Sequence, residues 1–176
     1  NCDWSSDVCS SDLTCGPGWA FAQNTPFRRF KTWLHEGGIA TPMIVRWPTQ
    51  IAPNTVASQV CHIIDLMPTF LEVAQGTYPT QYRGRPIIPC EGVSLTPIFS
   101  GQSLPGSRVL WWEYRGSRAV REGPWKLVRD RKRPDWELYH MEHDRTETND
   151  LANQYPEKVT QMAKSWQGWH TRMEFP

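Results

Sequence analysis

The stretch Arg118-Ala119-Val120-Arg121-Glu122-Gly123-Pro124-Trp125-Lys126-Leu127-Val128-Arg129 decides the fold of this chain. Residues 118–121 and 125–129 read as two strands, and Gly123-Pro124 turns the chain between them. Trp125 and Leu127 fall on one face of the second run. Working outward, the aromatic-rich run 109–114 reads as a preceding strand. Past a turn at 131–134, Trp136-Glu137-Leu138-Tyr139 reads as a following one. Four strands with short connections predict an antiparallel meander. Pro156 suits the first position of a helix. Val159, Met162, Ala163, Trp166, Trp169 and Met173 then recur at helical spacing, so that face is expected to cover the sheet. Residues 108–176 read as a small α+β subdomain: a four-stranded antiparallel sheet with a C-terminal helix.

Toward the N-terminus the signals change. Residues 16–38 read as loop, with Gly16-Pro17-Gly18 and Pro26, save for a short helix predicted over 27–34 and punctuated by Gly37-Gly38. Met43-Ile44-Val45, bounded by Pro42 and Pro48, reads as a buried strand. Ile63, Ile64, Met67, Phe70, Leu71 and Ala74 follow helical spacing. Pro68 is tolerable only in the first turn, so the helix is expected to start near Asp65 and stop at Gly76. Strand, loop and helix make half of an α/β layer. The five prolines and four glycines of residues 77–107 mark a long linking stretch. Residues 16–107 thus read as the end of an α/β domain plus a linker.

Residues 1–15 stand apart. Asn1 to Thr14 reads NCDWSSDVCSSDLT, with Ser-Ser-Asp at 5–7 and 10–12 and neither helical nor strand periodicity. The run SSDVCSSDL resembles translated sequencing adapter, so residues 1–15 are expected to be an artefact. They hold three of the five cysteines, leaving Cys61 and Cys90, whose separation fits no metal spacing. The whole 176-residue chain carries 19 bases and 18 acids, a net +1. Without Asp3, Asp7 and Asp12 the balance is 19 minus 15, or +4. Such a charge makes no sequence-wide case for nucleic acid or anionic membrane as partner. With 39% hydrophobic residues the chain can bury a core, yet no apolar run approaches the roughly 18 residues of a membrane span.

Few residues announce chemistry. His35-Glu36 is not a zinc-protease helix, because its second histidine would stand at 39, which is Ile. His140 and His143 lie beside Asp144, but no third metal ligand is placed by sequence. Neither a GxxxxGK[ST] phosphate loop nor a GxSxG elbow occurs. Residues 115–133 hold eight bases and two acids, which fit the outward faces of exposed strands better than an anion-binding patch. Lys31 has two readings: a compact cation presented to an anion beside a Gly-Gly turn, or part of a wet basic face with Arg28 and Arg29.

A resemblance separates them. Asn24-Thr25-Pro26-Phe27-Arg28-Arg29-Phe30-Lys31-Thr32-Trp33-Leu34-His35-Glu36-Gly37-Gly38-Ile39-Ala40-Thr41-Pro42, continuing to Ile44-Val45-Arg46-Trp47-Pro48, resembles the sulfatase family, arylsulfatases above all. The likeness continues in order through His62-Ile63-Ile64-Asp65-Leu66-Met67-Pro68-Thr69, Glu91-Gly92-Val93-Ser94-Leu95, Arg118 to Val128, and Glu137-Leu138-Tyr139 with Asp144, Glu147, Thr148, Asn149 and Leu151. It covers about residues 16–173; His140 and Arg145 stand where the family often has Asp and Pro. It implies the end of an alkaline-phosphatase-like domain and a hydrolase of sulfate esters, with a formylglycine nucleophile from a C/S-x-P-x-R motif and a calcium ion. That motif is absent here, and so are the metal ligands; on this resemblance both lie in a part of the enzyme outside this chain, which alone is expected to be inactive. Of the family's site, Lys31 is implied as the catalytic and sulfate-binding cation, with His35 beside it in substrate binding, and no residue here as a metal ligand. The implied partner is a sulfated small molecule or glycan, and the implied location is the periplasm or exterior. Two other readings remain: a phosphate or phosphonate ester hydrolase of the same superfamily, and a non-catalytic binding module. The second leaves the 43–45 strand and the helix near 65–75 without sheet partners.

Overall fold

A computed structural model describes residues 8–104, 106 and 108–173, with side chains from Gly16 onward. The reading of residues 1–15 as an artefact falls, for 1–7 and for the side chains of 8–15, outside the described residues. The elements are α1 (Val8–Gln23), α2 (Glu36–Ile39), a 3-10 turn (Ile63–Asp65), α3 (Leu66–Val73), β1 (Gln81–Tyr82), β2 (Arg85–Pro86), α4 (Thr96–Phe99), β3 (Val109–Tyr114), β4 (Ser117–Glu122), β5 (Trp125–Arg129), β6 (Glu137–His140) and α5 (Pro156–Met173). They fall into two compact units: Met43–Gly106, and the described parts of Asn1–Pro42 and Ser107–Pro176 together. The segment up to Pro42 therefore belongs with the C-terminal sheet, whereas the sequence grouped it with residues 43–107.

That sheet is the expected meander, in the order β3-β4-β5-β6 with every neighbour antiparallel. Arg115 (φ 50) and Gly116 (φ 84) make the first turn in the left-handed region, which matches the twist of a tight hairpin. Pro156 opens α5, whose Met162 and Trp166 are buried against Val120, Leu127 and Leu138. Val159, Ala163 and Trp169 pack around them. The Trp166 indole N–H donates to the Trp112 carbonyl at 2.9 Å, so this large ring is buried with its polar atom satisfied.

A sheet with one wet face alternates buried and exposed residues. This one does not: Lys126, Leu127 and Val128 are all buried in succession, as are Leu138 and Tyr139. Residues 27–40 cover the face opposite α5. There Leu34 and Ile39 pack on Ala119, Val128, Tyr139 and Met141.

Three local expectations are corrected. Residues 27–34 bend and turn, because Arg29 (φ 70) and Thr32 (φ 81) lie in the left-handed region, which a right-handed helix excludes. Part of the expected loop, 17–23, is helical, as the continuation of α1 past a break at Gly16 (φ 67). Met43-Ile44-Val45 forms no strand and Ile44 is 96% exposed, since no described strand pairs with it to satisfy its backbone.

In the other unit, the expected helix near 65–75 appears as α3, with Pro68 in its first turn. Asp65 is fully buried, and its carboxylate accepts from the backbone N–H of His62 and of Val93. Thr69 Oγ1 donates to the Asp65 carbonyl and accepts from Leu95 N. Gly92 must be glycine: a Cβ there would stand 2.1 Å from the Ile64 carbonyl oxygen. These contacts fasten the stretch 91–95 to the 62–69 turn.

Candidate functional site

Lys31 lies in a loop whose two ends meet. Gly37 N donates to the Arg28 carbonyl at 3.0 Å, and Gly38 N to that of His35 at 2.8 Å. The close approach demands glycine. A Cβ on Gly37 would lie 2.1 Å from the Arg29 carbonyl oxygen, and one on Gly38 the same distance from that of Trp33. Trp33 N donates back to Phe30 O, so residues 30–33 turn with Lys31, exposed, in the bend.

Both ends are fastened to the sheet by charge. At the start, Arg28 Nη1 reaches Glu137 Oε2 (3.2 Å), Tyr139 OH (2.6 Å) and the Glu147 carbonyl (3.1 Å). At the end, His35 Nε2 is 2.8 Å from that same Glu137 oxygen, to which Tyr139 OH also donates. One carboxylate thus holds both ends of the loop. Next to it, Lys126 Nζ is 2.8 Å from Glu36 Oε1 and 2.8 Å from Glu147 Oε1, while Glu36 N donates to Glu147 Oε2. All three residues of this trio are buried, and Arg145 adds a longer contact to Glu36 at its rim.

The electrostatics follow the geometry. Burial pushes the Glu137 carboxyl up, but hydrogen bonds from His35 and Tyr139 and the charges of His35 and Arg28 outweigh it and bring it to about 2. Burial, with the hydrogen bond to that anion, pushes the Tyr139 phenol far above its ordinary value. For Arg28 burial pulls down, and the Tyr139, Glu137 and Glu147 side raises it by more. This seam is thus a fixed set of paired charges, and the group it presents toward solvent is the loop carrying Lys31.

The family described as N-sulphoglucosamine sulphohydrolase, C-terminal, matches residues 27–169. The chain belongs to that family. It is similar to an uncharacterized sulfatase of Schizosaccharomyces pombe, 30% identical over 168 residues, which span 89% of this chain and 29% of the relative. Arylsulfatase A of Bos taurus is 31% identical over 124 residues, 67% of this chain and 20% of the relative. Among solved structures, Ps i-CgsB in complex with k-i-k-neocarrahexaose superposes with a TM-score of 0.69 at 24% identity, over 83% of this chain and 32% of that one. The sheet and its helix are therefore those of the C-terminal part of the sulfatase fold. The chain spans between about a fifth and a third of the length of these relatives.

Of the residues singled out from sequence, Lys31 and His35 share one loop but differ in setting. Lys31 is exposed, whereas His35 is 1% exposed and its Nε2 is engaged by Glu137. His140 and His143 stack with ring centroids 4.4 Å apart. Asp144 beside them is taken up by the backbone N–H groups of Thr148 and Asn149. Among the described residues Cys61 and Cys90 form no disulfide, and Cys61 Sγ lies 3.6 Å from the Gln59 carbonyl. Sequence reading gave Glu36, Lys126, Glu137 and Glu147 no role in a site and set Lys126 on an outward strand face; the structure buries Lys126 and makes the four one seam. The available signal was Lys126 itself, a lysine flanked by Trp and Leu-Val in a strand otherwise fit for burial.

Proposed function

We propose that this chain is the C-terminal part of an arylsulfatase-like hydrolase of sulfuric esters acting on a sulfated small molecule or glycan. The observation that carries the reading is the closed loop 28–38, pinned at both ends, which holds Lys31 in a fixed turn in a chain of the sulfatase family. There Lys31 binds a sulfate oxygen and offsets the charge that develops on the leaving group, a role for a preorganised cation. His35 serves the site from behind, as an anchor through Glu137. A glycan is supported by the neocarrahexaose complex of Ps i-CgsB.

On this reading the formylglycine nucleophile and the calcium ion belong to the part of the sulfatase outside this chain. The seam here does not suit a cation of that kind. Glu36, Glu137 and Glu147 already face Lys126, His35 and Arg28, where calcium wants open carboxylate oxygens. Among the described residues no group of three His, Cys, Asp or Glu side chains converges to hold a metal.

The test is the complete enzyme with para-nitrophenyl sulfate. Lys31→Ala is expected to lower kcat on the order of a hundredfold, as loss of one charge-stabilising donor does elsewhere. Kinetics identical to wild type would remove Lys31 from the site.

A further inference from the structure

The eight bases of residues 115–133 read from sequence as a uniform solvated face, and the structure divides them. Lys126 is buried between two glutamates. Arg118 lies over the Trp166 ring and Arg129 over Trp136. Arg121 Nε donates to the Gly123 carbonyl at 3.4 Å, and Arg133 pairs with Glu137. The remaining three, Arg115, Arg131 and Lys132, come from two different turns and line one cleft of about 230 Å³, with the Arg115 guanidinium 5.3 Å from the centre of the Tyr114 ring in the same lining.

The opposite wall of that cleft is Phe30, Thr32 and Trp33, the neighbours of Lys31 on either side. Its turns are set by the fold. Arg115 and Gly116 form the β3–β4 hairpin, and Arg131 N donates to Ser117 Oγ at 3.2 Å, tying the β5–β6 turn to β4. Asp130 is the single acid of the lining, against three cations. Tyr114 and Trp33 supply aromatic surface of the kind that packs on sugar rings.

We infer that this cleft is a subsite for a second anionic group, a sulfate or carboxylate, on a glycan whose scissile sulfate is held at Lys31. The inference rests on the Lys31 reading above and narrows its substrate from any sulfate ester to a polyanionic glycan. Three cations around one concavity raise the local concentration of an anionic chain and fix its register, in a salt-dependent way.

The test uses the complete sulfatase and the variant Arg115→Gln/Arg131→Gln/Lys132→Gln. Equilibrium binding of a fluorescently tagged heparin tetrasaccharide is measured at low and at about 0.15 M salt. A tagged hyaluronan tetrasaccharide, whose anions are carboxylates alone, is measured beside it. The triple variant is expected to weaken heparin binding about tenfold, the combined effect of three exposed cations, and to flatten its salt dependence. An equal loss for hyaluronan assigns the subsite to carboxylates as well; a loss for heparin alone assigns it to sulfate. Unchanged affinity for both overturns the proposal. If the triple variant does not fold, Lys132→Glu, at an exposed position, carries the test with the same readout and a loss of severalfold. Turnover of para-nitrophenyl sulfate by wild type and Lys31→Ala is followed separately. Failure there removes the Lys31 reading, whereas an unaltered tetrasaccharide affinity removes only the subsite.

Discussion

Replacing Lys126 by methionine keeps most of the side-chain volume and removes the one cation between Glu36 and Glu147. Each contact is 2.8 Å long. At an effective dielectric of 20 this is about 6 kcal/mol of gross attraction per contact. Most of that is offset by the cost of taking three charges out of water, since Lys126 and Glu147 are fully buried and Glu36 is 4% exposed. What the substitution exposes is the asymmetry: the two carboxylates stay behind, buried without their lysine and left with the longer Arg145 contact to Glu36 and the Glu36 N–H on Glu147, at a cost of about 3–5 kcal/mol. Against a total stability of about 5–15 kcal/mol, that decides whether the loop stays docked. Urea unfolding followed by tryptophan fluorescence, with Trp125 adjacent to the site of change, measures it. The triple variant Lys126→Met/Glu36→Gln/Glu147→Gln should recover most of the loss, because nothing charged is then stranded. A loss under about 1 kcal/mol for Lys126→Met, or a triple variant no more stable than the single, would refute the buried trio as the fastening of the loop.

Two further outcomes follow from the same loop. Gly38→Ala puts a methyl group 2.1 Å from the Trp33 carbonyl oxygen and 2.7 Å from that of Phe30, so it should cost about 2 kcal/mol or more and disturb the Lys31 turn. Thermal unfolding together with para-nitrophenyl sulfate turnover reads both, and a neutral Gly38→Ala contradicts the close approach. Glu137, lowered from 4.5 to about 2, stabilises the fold fully above about pH 4.5 and loses that contribution as pH falls toward 2, a change of about 3 kcal/mol. Glu137→Gln should be less stable than wild type at neutral pH and converge with it in acid; parallel stability curves would contradict the assignment.

The meander and its helix were legible because their signals are local. Gly123-Pro124 marks a turn wherever it stands, and the spacing from Val159 to Met173 needs no partner to be seen. The covering of the sheet's second face was not legible, since it depends on residues about a hundred positions upstream. For the same reason Lys126 gave no hint of its partners. The helix expected over 27–34 failed because spacing registers which residues are apolar and is blind to backbone handedness, which Arg29 and Thr32 reverse here. Met43-Ile44-Val45 failed for the opposite reason: apolar content suggests burial, but a strand exists only through its neighbour. The role proposed for Lys31 rests on resemblance, and the clamp formed by Glu137 became visible only once three distant motifs met.

The fastening of the loop also sets a timetable. Glu36 precedes Lys126 by 90 positions, and Arg28 precedes Glu147 by 119. At about 5–20 residues per second of synthesis, the loop leaves the ribosome several seconds before its anchors exist. For that interval Glu36 has no Lys126 to pair with, and the intervening unit 43–106 emerges first. The Lys31 loop is thus made well before the sheet that anchors it and is among the last parts of its unit to take its final form. A premature stop before Lys126 would spare every residue of the loop and remove the anchors that close it.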